Sequence, residues 1–355
     1  MARLFIVDTT LRDGEQAVGV RFSNNQKKKI AKELDALGVD VIEAGIPVMS
    51  EEERYVIREI NELNLRAKIL TWNRMCIKDI DQSLLTGVKN LHITVPASDI
   101  HIRKKLKINR EELLSRMQKV VSYAVSKGCE VSVGAEDASR ADINFLIKLY
   151  KKAEEEGAIR VRYADTVGNM NPFSAYDIIK YIRNEIKVDL DFHGHNDLGM
   201  GTANALGAYR GGASYISCSV NGLGERAGNT PLEEIVAVIR YVEGCKDQVD
   251  MKRIMKVSKI VESYSKRWLY TGKPIVGKDA FSHESGIHVD GLLKDSRTYE
   301  EISPELFGRS RKIVLGKHSG KKAIMHVHKE KGIEFNDCNQ DKLLELLRNK
   351  YRFSE

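Results

Sequence analysis

The sequence predicts a (β/α)8 TIM barrel followed by a small, mostly helical C-terminal region. Two observations carry this expectation. Up to about residue 243, short β-like apolar runs alternate with amphipathic stretches of helical length, eight of each. Polar and ionisable residues then recur just past nearly every run, on the face where such a barrel gathers its chemistry. After about residue 265 the alternation stops, which sets a barrel domain at 1–265 and a C-terminal region at 266–355. A doubly wound open sheet satisfies the same alternation, because periodicity does not show closure.

In order, strands are expected near 4–9, 39–46, 67–72, 90–95, 130–135, 159–164, 188–193 and 215–219. Helices are expected near 24–37, 50–63, 78–86, 110–127, 139–156, 172–185, 199–210 and 230–243. Ser50 before three glutamates, Asn109 before Arg-Glu-Glu, and Pro172 and Pro231 in first turns act as start signals. Beyond the barrel, 268–291 is glycine-rich and polar, Ser303-Pro304-Glu305 marks a short helix start, and helices are expected near 319–331 and 339–352.

Composition narrows the function. Hydrophobic content of 42% and charged content of 30% suit a soluble globular protein, and no apolar run reaches the length of a membrane span. The N-terminus runs straight into a strand without a signal-peptide core, and the five cysteines are dispersed with no CxxC pair, so a reducing cytoplasm is expected. The net charge of +7 arises from 57 basic and 50 acidic residues interspersed along the chain. That spread gives no concentrated patch for nucleic acid.

The stretch His193-Gly-His195-Asn-Asp-Leu-Gly closes the seventh expected strand. Side chains two apart on a strand share a face, so the two imidazoles can ligate one divalent ion. Asp13, just past the first strand, adds a carboxylate facing them across a barrel mouth and leaves coordination positions open. Zinc, manganese and magnesium all fit such a set. Asn229 ends the glycine-rich run Gly222-Leu-Gly224-Glu-Arg-Ala-Gly228-Asn229 and offers a further neutral oxygen. The run is not a dinucleotide fingerprint, but it follows the eighth strand, where barrels often bind phosphate. Other residues past strand ends are Arg12, Glu43, Asn73, Arg74, Glu136, Asp165, Thr166 and Asn221.

Together, Leu11-Arg-Asp-Gly-Glu-Gln16, His193-Gly-His-Asn-Asp197, the 222–229 run and Ser285-Gly-Ile-His288 resemble the acyl-CoA-condensing DRE-type TIM-barrel metalloenzymes, the family of isopropylmalate, citramalate and homocitrate synthases. The likeness spans the whole chain in order. Through Glu43–Arg54, Trp72–Met75, Val95–Ile100 and Gly134–Arg140 it is greatest to the NifV-type homocitrate synthases of nitrogen fixation. The resemblance implies that Asp13, His193, His195 and Asn229 bind the metal and that the 2-oxo acid chelates it. Arg12 would stabilise the alkoxide, with Gln16, His92, Glu136 and Thr166 holding substrate. His288 and Tyr299 would handle protons when acetyl-CoA loses a methyl hydrogen, reaching a neighbouring subunit of a homodimer. Gly222, Gly224 and Gly228 would meet the CoA diphosphate. Which of Glu136, His288 and Tyr299 is the immediate base stays open.

The lysine-pathway homocitrate synthases resemble one another in a fifth-strand arginine for the distal carboxylate of 2-oxoglutarate. This chain has Ser132-Val-Gly134 there. Arg74 is the first replacement expected and Arg162 the second. Lys317 and His318 read equally as a phosphate-contacting pair or a solvated turn. The expected reaction is condensation of acetyl-CoA with 2-oxoglutarate to homocitrate and CoA. The alternatives are another 2-oxo acid (isopropylmalate, citramalate or Re-type citrate synthesis) or a hydroxymethylglutaryl-CoA-type lyase. The lyases usually show a cysteine in the loop after the eighth strand, and 222–229 has none. A non-catalytic barrel is disfavoured by the intact metal and base positions.

Overall fold

The computed structural model describes residues 3–245, 249–332 and 340–350. Eight parallel strands close into a barrel: β1 (Phe5–Asp8), β2 (Val41–Gly45), β3 (Lys68–Arg74), β4 (Asn90–Pro96), β5 (Glu130–Glu136), β6 (Arg160–Asp165), β7 (Asp189–Gly194) and β8 (Tyr215–Cys218). The β1–β8 pairing, Phe5 opposite Tyr215 through Asp8 opposite Cys218, is the seam that excludes the open sheet. Val7, Val41 and Leu70 pack together inside, with Tyr215 against them.

Helices α1 (Asn24–Leu37), α2 (Glu51–Asn61), α3 (Ile77–Leu84), α4 (Arg110–Ser126), α5 (Ile143–Glu155), α6 (Pro172–Glu185), α7 (Gly201–Gly211) and α8 (Leu232–Tyr241) return the chain between strands. Ser23 forms a capping box with Gln26, and Ser50, Asn109 and Asn171 each accept a backbone N–H of the first turn, fixing where those helices begin. Helix α5 starts later than its periodicity predicts. Asp137 takes a left-handed conformation (φ 62°), residues Ala138–Arg140 make a 3-10 turn, and Asp142 supplies the cap.

Several elements depart from the expected alternation. After β4, His101–Leu106 forms a π-helical turn. After α8, helix α9 (Ile254–Ser265) buries Ile254, Val257 and Val261 and packs on α1. Those three residues recur at helical spacing, so the signal was present in the sequence.

The chain divides into two compact units, Met1–Trp268 and Leu269–Glu355. The second contains α10 (Gly286–Lys294), a 3-10 turn at Pro304–Phe307, α11 (Lys321–Glu330) and α12 (Gln340–Lys350). Strands β9 (Ser282–His283) and β10 (Lys312–Ile313) pair in parallel. Phe281 stacks on fully buried Phe307, their ring centroids 6.2 Å apart. The glycine-rich stretch hides α10 because Gly286 serves contact rather than flexibility. A Cβ there would lie 2.8 Å from the backbone nitrogen of Gly320, the α11 cap. Among the described residues no helix is long and apolar enough to cross a membrane.

Tyr150 of α5 is fully buried, and its hydroxyl donates to the Arg162 carbonyl of β6 at 2.9 Å. Tyr150→Phe should lower the urea unfolding free energy by about 1 kcal/mol, the net worth of a typical buried hydrogen bond. An unchanged midpoint would show that the helix is held to the strand by apolar packing alone.

Candidate active site

At the C-terminal mouth of the barrel lies a cavity of about 230 Å³. Its wall is written in the two-residue alternation of the strands. Trp72 comes from β3, His92 and Thr94 from β4, Gly134 and Glu136 from β5, Arg162 and Ala164 from β6, and His193 from β7. Arg12, Asp13, Gln16, Thr166, His195, Glu225 and Arg226 complete it from the loops.

Asp13, His193 and His195 are buried and come together. One donor atom from each lies within 4.8 Å of the others, with Asp13 Oδ2 at 3.1 Å from His193 Nε2 and 3.9 Å from His195 Nε2. Burial opposes ionisation of Asp13, but the positive charge of Arg12 and contact with His193 override it and hold the carboxyl far below its usual range. Burial, reinforced by His193, pushes His195 down to about 4, against the pull of Asp13, which favours the neutral imidazole a metal needs. Asp13 Oδ2 and Nδ1 of both histidines are buried without a hydrogen-bond partner. Among the described residues this is the group of His, Cys, Asp or Glu side chains able to hold an ion. Asn229 is joined to His195 by a backbone bridge, and its Oδ1 is likewise buried without a partner.

Below the triad runs a ladder of buried charges. Arg12 Nε donates to Glu43 Oε1, and Arg12 Nη1 lies 3.3 Å from Asp13. Glu43 Oε2 lies 2.9 Å from Arg162 Nη1, and Arg162 Nε donates to Asp191 Oδ2 at 2.7 Å. The Ser217 hydroxyl donates to Asp191 at 2.9 Å. Burial disfavours a charged Glu43, yet Arg12 and Arg162 lower its pKa. For Arg162 burial is likewise outweighed, by Asp191 and Glu43, and its pKa rises. One Arg162 nitrogen, Nη2, is buried with no hydrogen-bond partner. His92 Nδ1 is 2.6 Å from Ser132 Oγ, and burial together with Arg162 and Arg12 keeps the ring neutral. Gly134 makes room for that ring, since a Cβ there would come within 2.4 Å of His92 Nε2.

The other expected residues fall in different places. Arg74 is turned outward, its side chain 62% exposed, and grips Asp79 of α3 with two 2.8 Å bonds, so it does not line the cavity. Asn73 binds Thr71 and Ser83, Asp165 accepts the N–H groups of Asn169 and Met170, and Asn221 donates to the Ser258 carbonyl. These three tie strands to helices or shape loops. Thr166 Oγ1 accepts the Asp137 N–H, and its carbonyl accepts from Arg226, which also pairs with Asp197. In the 222–229 run the glycines allow close backbone packing around Asn229. A Cβ on Gly228 would lie 2.0 Å from the Gly222 carbonyl, which accepts the Asn229 N–H. Glu225 and Arg226 are the loop residues that reach the cavity. His288 and Tyr299 lie in the second unit and stack on each other with centroids 4.2 Å apart.

Sequence reasoning missed Asp191, Thr94 and Arg226. The signal for the first was available: Arg160/Arg162 and Asp189/Asp191 place charges two apart within strands, a spacing that puts each pair on one face of its strand.

The family described as HMGL-like matches residues 3–261, and that described as homocitrate synthase post-HMGL domain-like matches residues 275–351. The chain belongs to the acyl-CoA-condensing HMGL-like family. It is 47% identical to 2-isopropylmalate synthase 2 of Caldanaerobacter subterraneus subsp. tengcongensis over 93% of this chain and 86% of that protein. To the (R)-citramalate synthase of Methanocaldococcus jannaschii it is 45% identical, covering 97% and 70%. To homocitrate synthase 1 of Nostoc sp. it is 43% identical, covering 98% and 92%. The HMG-CoA lyase of Bacillus subtilis shares the barrel fold, with a TM-score of 0.68 at 20% identity over 75% of this chain and 95% of that one. As an acyl-CoA-condensing family member, this chain is similar to synthases named for several different products.

Asp8, beneath the ladder, is fully buried, and burial pushes its carboxyl up to about 7 despite hydrogen bonds from Thr10. A folded-state value above the unfolded one means that Asp8 favours folding most below the ordinary value of 3.8. That contribution fades as pH rises to about 7. Urea unfolding should therefore show wild-type protein losing more stability between these limits than Asp8→Asn. Parallel profiles would contradict the burial argument.

Proposed function

We propose that this chain condenses acetyl-CoA with 2-oxoglutarate in a divalent-metal-dependent Claisen reaction and hydrolyses the thioester, giving homocitrate and CoA. The observation that carries this reading is the cavity's chemical asymmetry. Its lining brings the Asp13–His193–His195 triad together with neutral His92 and with Arg162, whose Nη2 is buried without a hydrogen-bond partner.

The triad suits a divalent ion because its donors are an ionised carboxylate and two imidazoles, several of whose polar atoms are buried and unsatisfied. Asn229 is a candidate neutral ligand. Asp13, His193 and His195 would hold such an ion, which would supply Lewis-acid polarisation of the 2-oxo acid's ketone. Arg12, oriented by Glu43 and lying 5.8 Å over the Trp72 ring, is placed to stabilise the developing alkoxide. Gln16 and Thr166 flank the same space. Glu136 and the stacked pair His288–Tyr299, the latter supplied by the second subunit of a homodimer, are the proton-handling groups of this proposal. The 222–229 loop, through Arg226, is proposed to meet the CoA diphosphate.

Choice of 2-oxo acid rests on Arg162 and His92. A distal carboxylate would give the Arg162 nitrogen the partner it lacks, and a charge-assisted hydrogen bond of that kind is strong. An isopropyl or methyl group would leave that nitrogen unsatisfied against an apolar surface. The relatives named for isopropylmalate, citramalate and homocitrate are of similar overall identity, so identity alone does not choose among them.

Thiol release from acetyl-CoA should be faster with 2-oxoglutarate than with pyruvate or 2-oxoisovalerate. The opposite preference would move the chain to the citramalate or isopropylmalate branch. Separately, Asp13→Asn should abolish thiol release and lower the bound divalent metal found by elemental analysis. An active preparation free of divalent metal and indifferent to chelators would overturn the metal assignment.

A further inference from the structure

Glu136 ends β5 on the cavity wall, and a glutamate there has three rotatable bonds unless something outside the barrel restrains it. The restraint comes from the loop after β4. His101–Leu106 is wound as a π-helical turn and is closed by Lys107 in a left-handed conformation (φ 56°), whose N–H donates to the Ile102 carbonyl. Ile102, 1% exposed, anchors the turn in the protein interior. Widened turns of this kind re-aim side chains and recur at functional sites. Here the turn carries Lys105 back to β5, where its ammonium lies 2.8 Å from each Glu136 oxygen. His101 stands between Glu136, at 3.8 Å, and Asp137, at 3.7 Å. Asp137 is itself fixed by the Ser98 hydroxyl and by Arg140.

We propose that Lys105 is a positioning residue for Glu136 in proton abstraction from acetyl-CoA. The inference rests on the condensation proposed above. In that step a methyl C–H bond breaks, the proton passes to a Glu136 oxygen and the electron pair stays on the thioester as its enolate. Lys105 holds the waiting carboxylate in one orientation through both oxygens, and releases one oxygen as that oxygen accepts the proton. A stability role does not account for the contact. The Lys105 side chain is 52% exposed, and exposed ion pairs add about 0–1 kcal/mol to folding.

The test uses the full chain with divalent metal, comparing wild type, Lys105→Met and Lys105→Arg with ordinary and methyl-deuterated acetyl-CoA. Misorientation of a reacting group costs up to about 100-fold, so Lys105→Met should lower kcat by about 10- to 100-fold. The KM for the 2-oxo acid should stay within about two-fold, because ground-state binding of that substrate is untouched. The deuterium isotope effect on kcat should rise as proton abstraction becomes limiting, and Lys105→Arg should recover most of the rate. Unchanged kcat in Lys105→Met, or a loss with no rise in the isotope effect, overturns this role while leaving the condensation reading intact. Absence of condensation by the wild-type chain contradicts that reading and this role with it.

Discussion

Glu43 has no exposed surface, and it is held between the guanidinium groups of Arg12 and Arg162, with Asp191 on the far side of Arg162. Four charges are thereby taken into a barrel interior that in most barrels is filled by branched apolar side chains. Desolvating such groups is costly, and removing one member typically costs about 3–5 kcal/mol because its partner stays buried and uncompensated. The alternation of charge along the ladder offsets that cost, and it orients two arginines at once. Arg12 is aimed beside Asp13, and Arg162 is left with one nitrogen free of any partner. The ladder links β2, β6 and β7 to the loop after β1, so the seam closing β1 onto β8 is what brings its parts into register.

The proposed chemistry separates along the same lines. The groups proposed to serve the condensation itself are the carboxylate and two imidazoles, Arg12 and Glu136. Features able to distinguish one 2-oxo acid from another lie on the inner wall, where His92, Thr94, Gly134 and Arg162 meet. Gly134 is coupled to His92, because any side chain at 134 would displace the ring from its place against Ser132. An arginine at position 134 cannot coexist with this placement of His92, and the adjacent strand is proposed to supply the cation for a distal carboxylate. Arg162, paired across from Gly134 in the β5–β6 register, occupies that position.

Much of this was legible in the sequence. Each expected strand lies on an observed one, and the His-x-His pair with Asp13 was recognisable because strand periodicity and strand-end position suffice to bring those side chains together. Arg74 shows where such reasoning stops. A residue just past a strand can turn inward or outward, and Asp79, five residues on at the start of α3, captures the guanidinium on the outside. Asn73 and Asp165 went the same way, each satisfying backbone or helix groups outside the barrel. Asp191 was overlooked for the opposite reason: charges inside a strand read as surface residues until closure shows that alternate positions face a common interior. The π-helical turn carrying Lys105 left no periodic signature, since the six residues His-Ile-Arg-Lys-Lys-Leu give neither a strand nor a helix pattern.

The triad and Arg162 are proposed to bind opposite ends of one dicarboxylic 2-oxo acid. This is tested most directly by a crystal structure of the protein soaked with manganese and 2-oxoglutarate, with the metal located by anomalous scattering. A single strong anomalous peak is expected among Asp13, His193 and His195, with the ligand's 2-oxo and adjacent carboxylate oxygens on that ion and its far carboxylate within hydrogen-bond distance of the Arg162 guanidinium or His92 Nε2. A metal peak elsewhere, or a far carboxylate turned out of the cavity toward Arg74, would contradict it.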